Sequence, residues 1–499
     1  MRRKKLLERA KWLVGVTCVL LAVSSVSANE LASAPTKACR VEGMPNELQC
    51  GVVVRPLDPA NPTGTKIDVH FLVVPAMARN KQADAVLLLA GGPGQSAIAL
   101  ARAVLPRLAR LNNRRDLVFI DQRGTGKSAP LQCPDDSKLP VAKVLDTADQ
   151  LRRLKTCRDE LAKLPHGNLR FYSTSIAMQD FEAVRQAIGA PQWNLIGASY
   201  GTRAALEYMR QYPDKVRRTV LDGVAPPDMV LPSSSSTDGQ AALEAVFKAC
   251  EAEAQCSRRY PKLRQKWATL LGGLPREVSV NHPASGLPER FTLTRDVLLR
   301  SVRTPLYAPA LAAALPAAIV AAAEGRYEAL VGLSSSLGSS KATRLAMGMH
   351  FSVVCAEDVP RMANTADQPG ADFGKLDALQ YQSVCAGWPQ AEVPAAFYSV
   401  PPAISPVLLL SGGADPATPP RHAARVAAAL GAKAQHIVLA QGGHGVMSIG
   451  CMRDVVFRFI DAKTDAEALP QNADCALKIP RPGVFIPVQP NYAGAEEKL

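Results

Sequence analysis

The short apolar run Trp193-Asn194-Leu195-Ile196 feeds straight into Gly197-Ala198-Ser199-Tyr200-Gly201, and Thr202 to Tyr212 then carries a helical pattern. A strand that becomes a helix within five residues leaves little room, because a neighbouring strand and helix crowd the turn. Glycines on both sides of Ser199 meet that demand. Such a turn holds the Ser199 hydroxyl out at the carboxyl edge of a sheet, beside the positive end of the following helix. The pentapeptide also arises by chance, so its weight comes from its company. Asp415 and then His444 follow in chain order, each in its own loop after its own apolar strand.

The surrounding pattern is that of a layered α/β protein. Leu48 to Val54 and Ile67 to Val74 alternate and read as an antiparallel opening pair. Ala85 to Ala90 ends in Gly91-Gly92-Pro93-Gly94, and Leu117 to Ile120 ends in Asp121-Gln122-Arg123-Gly124. A helical stretch, Ala177 to Ile188, precedes the strand before Ser199, and Thr219 to Leu221 ends in Asp222-Gly223. Strand, turn and helix alternating in this way predict a parallel sheet with crossover helices. From Pro226 the rhythm breaks. Pro226-Pro227, Pro232 and Ser233 to Ser236 read as an exit from the core, and residues 240–395 are mostly Ala/Leu-rich helical patterns such as Ala308 to Ala323. Strands resume at Pro406 to Leu410, before Ser411-Gly412-Gly413-Ala414-Asp415, and at His436 to Leu439, before Gly442-Gly443-His444-Gly445. The expected architecture is an α/β-hydrolase fold, a mostly parallel sheet with flanking helices, with a helical cap inserted after the sixth strand. Residues 29–225 and 396–499 form the two parts of the core, and 226–395 the cap.

Residues 1–28 stand apart. Arg2, Arg3, Lys4, Lys5, Arg9 and Lys11 precede the apolar stretch Leu13 to Val23, which is short for a membrane span, and Val26-Ser27-Ala28 offers small residues to a signal peptidase. The pattern predicts a secretory leader cleaved near Ala28, with an uncleaved anchor as the alternative. Its loss takes six positive charges and one negative from a net +14, leaving about +9, with Lys and Arg scattered rather than clustered and no nucleic-acid motif. Ten of the 11 cysteines remain beyond the leader, and an even number in an exported chain points to disulfides and a periplasmic or secreted location. Hundreds of pairings stay open, but close spacing favours Cys39–Cys50, Cys133–Cys157, Cys250–Cys256, Cys355–Cys385 and Cys451–Cys475. No Cys-x-x-Cys and no ligand-like histidine spacing are present, so neither metal nor cofactor is expected.

Taken singly, Asp415 before Pro416 is a turn residue and His444 between glycines a loop histidine. Together with Ser199 they give the order Ser…Asp…His that this fold uses for a catalytic triad. Ser199 would attack, His444 would take and return the proton, and Asp415 would fix the tautomer and stabilise the imidazolium. Backbone N–H groups of Gly92 and Tyr200 are the expected oxyanion donors. Gly124-Thr125-Gly126-Lys127-Ser128 imitates a phosphate loop, but that motif needs glycine where Asp121 stands, and a carboxylate there would repel phosphate.

With these residues in view, Gly91-Gly92-Pro93-Gly94, Asp121 to Ser128, Gly197 to Gly201, Ser411 to Pro416 and Gly443-His444-Gly445 resemble the proline iminopeptidase family of α/β-hydrolase serine peptidases, and especially its exported, disulfide-bearing tripeptidyl-aminopeptidase-like branch. The likeness spans both halves of the core. One departure is Ala90, where many relatives carry His or Asn, which alters local hydrogen bonding without removing the donor. The resemblance implies an aminopeptidase acting on peptides with a free N-terminus, whose α-ammonium meets carboxylates of the cap. Cys355-Ala356-Glu357-Asp358 resembles that segment, so Glu357 or Asp358 is the expected amine partner, against the plainer reading of a local ion pair. An esterase of the same fold and a non-enzymatic binding protein on a hydrolase scaffold are the rival readings. The second should have lost a triad member, and none is lost.

Overall fold

Apolar side chains on successive strand positions must find cover on both faces of a sheet, and that requirement organises this chain. The computed structural model describes residues 36–136, 139–282, 285–336 and 344–487, so the leader read at 1–28 lies outside the described residues. Eleven strands are described: β1 (Lys37–Cys39), β2 (Leu48–Pro56), β3 (Lys66–Val74), β4 (Ala85–Leu89), β5 (Leu117–Ile120), β6 (Trp193–Ala198), β7 (Val216–Asp222), β8 (Arg276–Asn281), β9 (Pro288–Leu293), β10 (Val407–Gly412) and β11 (Ala434–Leu439). Nine form one sheet in the order β1-β2-β3-β5-β4-β6-β7-β10-β11. β1, β2, β3 and β5 pair antiparallel in turn, and every pairing from β5 across to β11 is parallel.

Alternation along the central strands divides the core. Leu87, Leu89, Val118, Leu195, Leu221 and Leu409 pack with the helices Thr174–Ala187, Tyr200–Gln211 and Pro420–Leu430. Val86, Leu88, Phe119, Ile196, Val220 and Leu408 face the opposite way, onto the helices Ala97–Asn112 and Met452–Asp461. β4 is paired with β5 on one side and β6 on the other, so the chain changes direction across the sheet beside it. A crevice at the carboxyl ends of such strands is where open α/β sheets bind ligands.

The insertion lies between β7 and β10, as expected, although the three-residue β1 makes β7 the seventh strand of the chain rather than the sixth. Three details differ from the sequence reading. The run Ser233 to Ser236 is inside the helix Leu231–Ala252 rather than in an exit loop. The hydroxyl of Ser235 donates to Asp377 at 2.6 Å, that of Ser236 donates to the Gly374 carbonyl at 2.7 Å, and that of Ser234 donates to Asp367, so the serines bond across the insertion instead of competing with their own helix. The insertion also contains an antiparallel hairpin, β8–β9, whose inward residues Val278, Val280, Phe291 and Leu293 alternate with exposed ones. Finally, the insertion has its own core around Leu243, Phe247, Trp267, Leu298 and Ile319, but its last two helices, Met347–Glu357 and Leu376–Cys385, pack into the sheet's core through Met349, Phe351, Val353 and Val384.

Five disulfides join the neighbours expected from spacing: Cys39–Cys50, Cys133–Cys157, Cys250–Cys256, Cys355–Cys385 and Cys451–Cys475. Cys355–Cys385 closes a separation of 30 residues and ties the last two helices of the insertion together. Loop-closure entropy for such a span amounts to about 3–4 kcal/mol. Replacing both cysteines by serine should therefore lower stability by roughly 2–4 kcal/mol in denaturant unfolding. Peptide mapping of the unreduced protein should recover the five pairs; free thiols at those positions would contradict them.

Candidate active site

Ser199 sits between β6 and the helix Tyr200–Gln211 with φ 55° and ψ −125°, a backbone conformation that costs an L-residue on the order of 1–3 kcal/mol. Its surroundings over-determine it. The Ser199 N–H donates to the Asp222 carbonyl at 2.9 Å, and its own carbonyl accepts from the Thr202 N–H at 2.8 Å and the Thr202 hydroxyl at 2.6 Å. The flanking glycines are a matter of space. A Cβ on Gly201 would lie 2.1 Å from the Leu89 carbonyl oxygen, and one on Gly197 would lie 2.4 Å from that of Gly201. Tyr200 opens its helix, so its N–H is among those that no carbonyl of the helix can take. A Cβ on Gly91 would lie 3.2 Å from the Ser199 Cβ, which brings the Gly91–Gly94 loop, with Gly92 at φ 112°, against the serine.

Asp415 and His444 meet across the β10 and β11 loops. His444 Nδ1 lies 2.9 Å from Asp415 Oδ2 and 3.1 Å from Oδ1. A carboxylate only accepts, so Nδ1 carries the proton and Nε2 of the neutral ring is the basic atom. Asp415 is itself held by the N–H groups of Ala417 and Thr418 and by the Thr418 hydroxyl, at 2.8, 2.9 and 2.7 Å. Burial pushes the Asp415 carboxyl up, but the His444 charge and these donors outweigh it and hold the group below its ordinary value. Burial lowers His444, and the carboxylates of Asp415 and Asp222 outweigh it in turn, raising the imidazole above 6.5.

Asp222 links this pair to the serine. Its carbonyl takes the Ser199 N–H, while its buried carboxylate accepts from Val446 N–H at 2.8 Å and Met447 N–H at 3.0 Å, fixing the loop that carries His444. A Cβ on the next residue, Gly223, would lie 3.5 Å from His444 Cε1. From the insertion, the Tyr307 carbonyl accepts the His444 N–H at 2.9 Å and the Tyr307 ring stands edge-on to the imidazole at 5.1 Å.

The loop that imitated a phosphate site is wound around Asp121. That carboxylate accepts from the Ser96 hydroxyl at 2.6 Å, Ile98 N–H at 3.1 Å and Lys127 N–H at 3.3 Å, and a Cβ on Gly126 would lie 1.8 Å from it. Gln122 donates to the Tyr200 hydroxyl at 3.0 Å, and Arg123 forms a buried fork with Asp180 at 2.7 and 2.9 Å. Among the described residues no cluster of three or more His, Cys, Asp or Glu is arranged to hold a metal ion.

Glu357 and Asp358 lie close to the serine's helix, but not as free carboxylates. Arg203, one turn beyond Ser199, donates to both oxygens of Asp358 at 2.9 and 3.0 Å, and Asp358 also accepts from Leu231 N–H. Glu357 accepts from the N–H and hydroxyl of Thr174 at 2.7 and 3.0 Å and reaches Arg203 only at 3.5 Å. The structure thus separates two residues that the sequence left interchangeable: Asp358 is consumed by Arg203, and Glu357 is the surplus acid, raised to about 7 chiefly by burial. Arg203, Thr418 and Asp222 were not singled out from the sequence. Arg203 had one visible signal, a cation in the otherwise small and apolar run Thr202 to Leu206.

This elbow, acid–histidine pair and glycine loop on a mostly parallel sheet are those of the α/β-hydrolase fold. Residues 84–246 match the α/β hydrolase fold family model, and residues 371–475 match the model described as TAP-like protein. The chain is similar to the tripeptidyl aminopeptidase of Streptomyces coelicolor, 30% identical over 201 residues, covering 37% of this chain and 36% of that protein, so the alignment spans about a third of that relative's length. It is similar to serine protease Hip1 of Mycobacterium tuberculosis, 24% identical over 419 residues (75% of this chain and 78% of that protein), and to carboxylesterase B of the same species, 26% identical over 416 residues (77% and 78%).

Two measurements check the electrostatics. The His444 imidazole should titrate above 6.5 by NMR, and Asp415→Asn should bring it down by removing the charge that supports the proton. Glu357 has a folded pKa above its ordinary 4.5, so between about 4.5 and 7 the folded state binds more protons than the unfolded one and this group's contribution to stability falls as pH rises. Glu357→Gln should flatten that part of a melting-temperature profile.

Proposed function

We propose that the protein is an exported serine peptidase that releases residues or short peptides from free N-termini through an acyl-enzyme on Ser199. The observation that carries the proposal is the strained Ser199 elbow, tied through Asp222 to the loop whose histidine is already oriented by a buried carboxylate. In this reading His444 Nε2 takes the Ser199 proton as Oγ attacks the substrate carbonyl, and Asp415 stabilises the imidazolium. The N–H groups of Gly92 and Tyr200 receive the oxyanion, His444 returns the proton to the leaving amine, and water then releases the acyl group by the same route. Relatives named tripeptidyl aminopeptidase and serine protease support peptides as substrates. Five disulfides and the basic, then apolar, leader support export. Among the described residues no helix is long and apolar enough to cross a membrane.

Amine selection is assigned to Glu357. Two carboxylates share one guanidinium, which leaves an excess of one acid, and a substrate ammonium would supply the missing positive charge and draw Glu357 into its ionised form. Carboxylesterase B as a relative gives a second reading, an esterase using the same triad and oxyanion donors. The two differ in what the substrate's amine contributes.

Ser199→Ala should leave the melting temperature unchanged and reduce turnover on the order of 10⁴–10⁶-fold; a variant retaining a tenth of the rate would sink the nucleophile assignment. On matched tripeptidyl and N-acetyl-tripeptidyl chromogenic substrates, acetylation should cost roughly two decades in kcat/KM, the scale of one unpaired buried charge. Glu357→Gln should erase that preference, costing free-amine peptides far more than small esters. Equal rates on free and blocked peptides would favour the esterase reading.

A further inference from the structure

The oxyanion loop is held from above by the insertion. The Ala346 N–H donates to the Gly94 carbonyl at 2.9 Å, and Leu345 Cδ2 lies 3.1 Å from where a Cβ on Gly92 would be. One residue earlier in the loop, the Pro93 carbonyl lies 3.0 Å from His350 Nδ1. A carbonyl accepts only, so Nδ1 carries the hydrogen. On the other side of the ring, Nε2 lies 2.8 Å from the Tyr381 hydroxyl. Burial holds His350 below its ordinary value, in the neutral form, which makes Nε2 an acceptor and Tyr381 the donor. The direction of this chain is therefore defined: Tyr381 O–H to His350 Nε2, His350 Nδ1–H to the Pro93 carbonyl. The two side chains come from the helices Met347–Glu357 and Leu376–Cys385, which Cys355–Cys385 joins, and Phe351 packs against Tyr381 with ring centroids 5.4 Å apart.

The far end of the same helix serves the other expected donor. Glu357 accepts from the Thr174 hydroxyl, which lies 2.6 Å from the Tyr200 hydroxyl. One eleven-residue helix thus reaches the loop of Gly92 with its first turn and the support of Tyr200 with its last. Donors to a developing oxyanion act only if they are pre-set, since the stabilisation depends on separations of 2.7–3.1 Å to the charged oxygen and not to the ground-state carbonyl.

We propose that His350, oriented by Tyr381, is a positioning residue that fixes the Pro93 carbonyl and through it the Gly92 N–H for oxyanion stabilisation. It touches no reacting atom; it acts on the loop that does. The proposal rests on the reading of Ser199 as nucleophile, not on which acyl group the protein prefers, so small esters suffice to test it.

His350→Leu removes the donor, whereas His350→Asn keeps an N–H on the atom bonded to Cγ, as Nδ1 is. In p-nitrophenyl ester hydrolysis, His350→Leu should lower kcat about 10- to 100-fold, less than the loss of a whole oxyanion donor, with KM changed less than about threefold. His350→Asn should recover most of that rate, and Tyr381→Phe should fall between. The affinity of a peptide aldehyde, whose adduct places an oxyanion in the same position, should fall in step with kcat. Melting curves and fluorophosphonate titration of Ser199 confirm that each variant is folded and how much of it is competent. No loss in His350→Leu, or equal loss in His350→Leu and His350→Asn once rates are referred to folded protein, would overturn the proposal. Full ester turnover by Ser199→Ala would instead overturn the nucleophile reading beneath it.

Discussion

The left-handed backbone at Ser199 is the constraint around which this molecule is built. A positive φ in a non-glycine residue survives only where neighbours leave no alternative. Here the alternatives are removed by the Asp222 carbonyl on one side, by Thr202 on the other, and by contacts so close that Gly197 and Gly201 cannot carry a Cβ. The same crowding sets the rest of the site. Gly91 is drawn against Ser199, and the residue that anchors the Ser199 N–H also anchors, through its carboxylate, the loop of His444. Strain at one residue and order in two distant loops are therefore one arrangement.

The insertion contributes to that order rather than merely covering it. The Tyr307 carbonyl takes the His444 N–H, His350 and Ala346 hold the Gly92 loop, and Arg203 gathers Asp358, Glu357 and the Met229 carbonyl at the start of the insertion. Asp238, in its first long helix, accepts from Arg421 at 2.7 Å and lies 2.8 Å from His422 Nε2, in the helix that follows the Asp415 loop. Packing agrees with this polar pattern, since the helix Met347–Glu357 shares its hydrophobic core with the sheet.

What could be read from the sequence was whatever is imposed locally. Ser199, Asp415 and His444 each follow an apolar strand and sit in a glycine- or proline-bearing turn, so their placement at one sheet edge follows from the βα rhythm alone. Close cysteine spacing served equally well. The hairpin β8–β9 was missed because two six-residue alternations are faint beside long Ala/Leu-rich stretches, and the serine run misled because its partners, Asp377 and Gly374, are more than a hundred residues away. Glu357 and Asp358 were recognisable as a pair but not distinguishable, since Arg203, which tells them apart, lies about 155 residues earlier. His350 left no trace: a single histidine in an apolar helix acquires meaning only from the loop above it.

More than two hundred residues of insertion and linking chain separate Ser199 from Asp415, and His444 comes later still. A nascent chain therefore carries its activated-looking serine turn long before the groups that would give it a base exist. Asp415 and His444 emerge only after the insertion, whose Tyr307 carbonyl takes the His444 N–H in the folded chain.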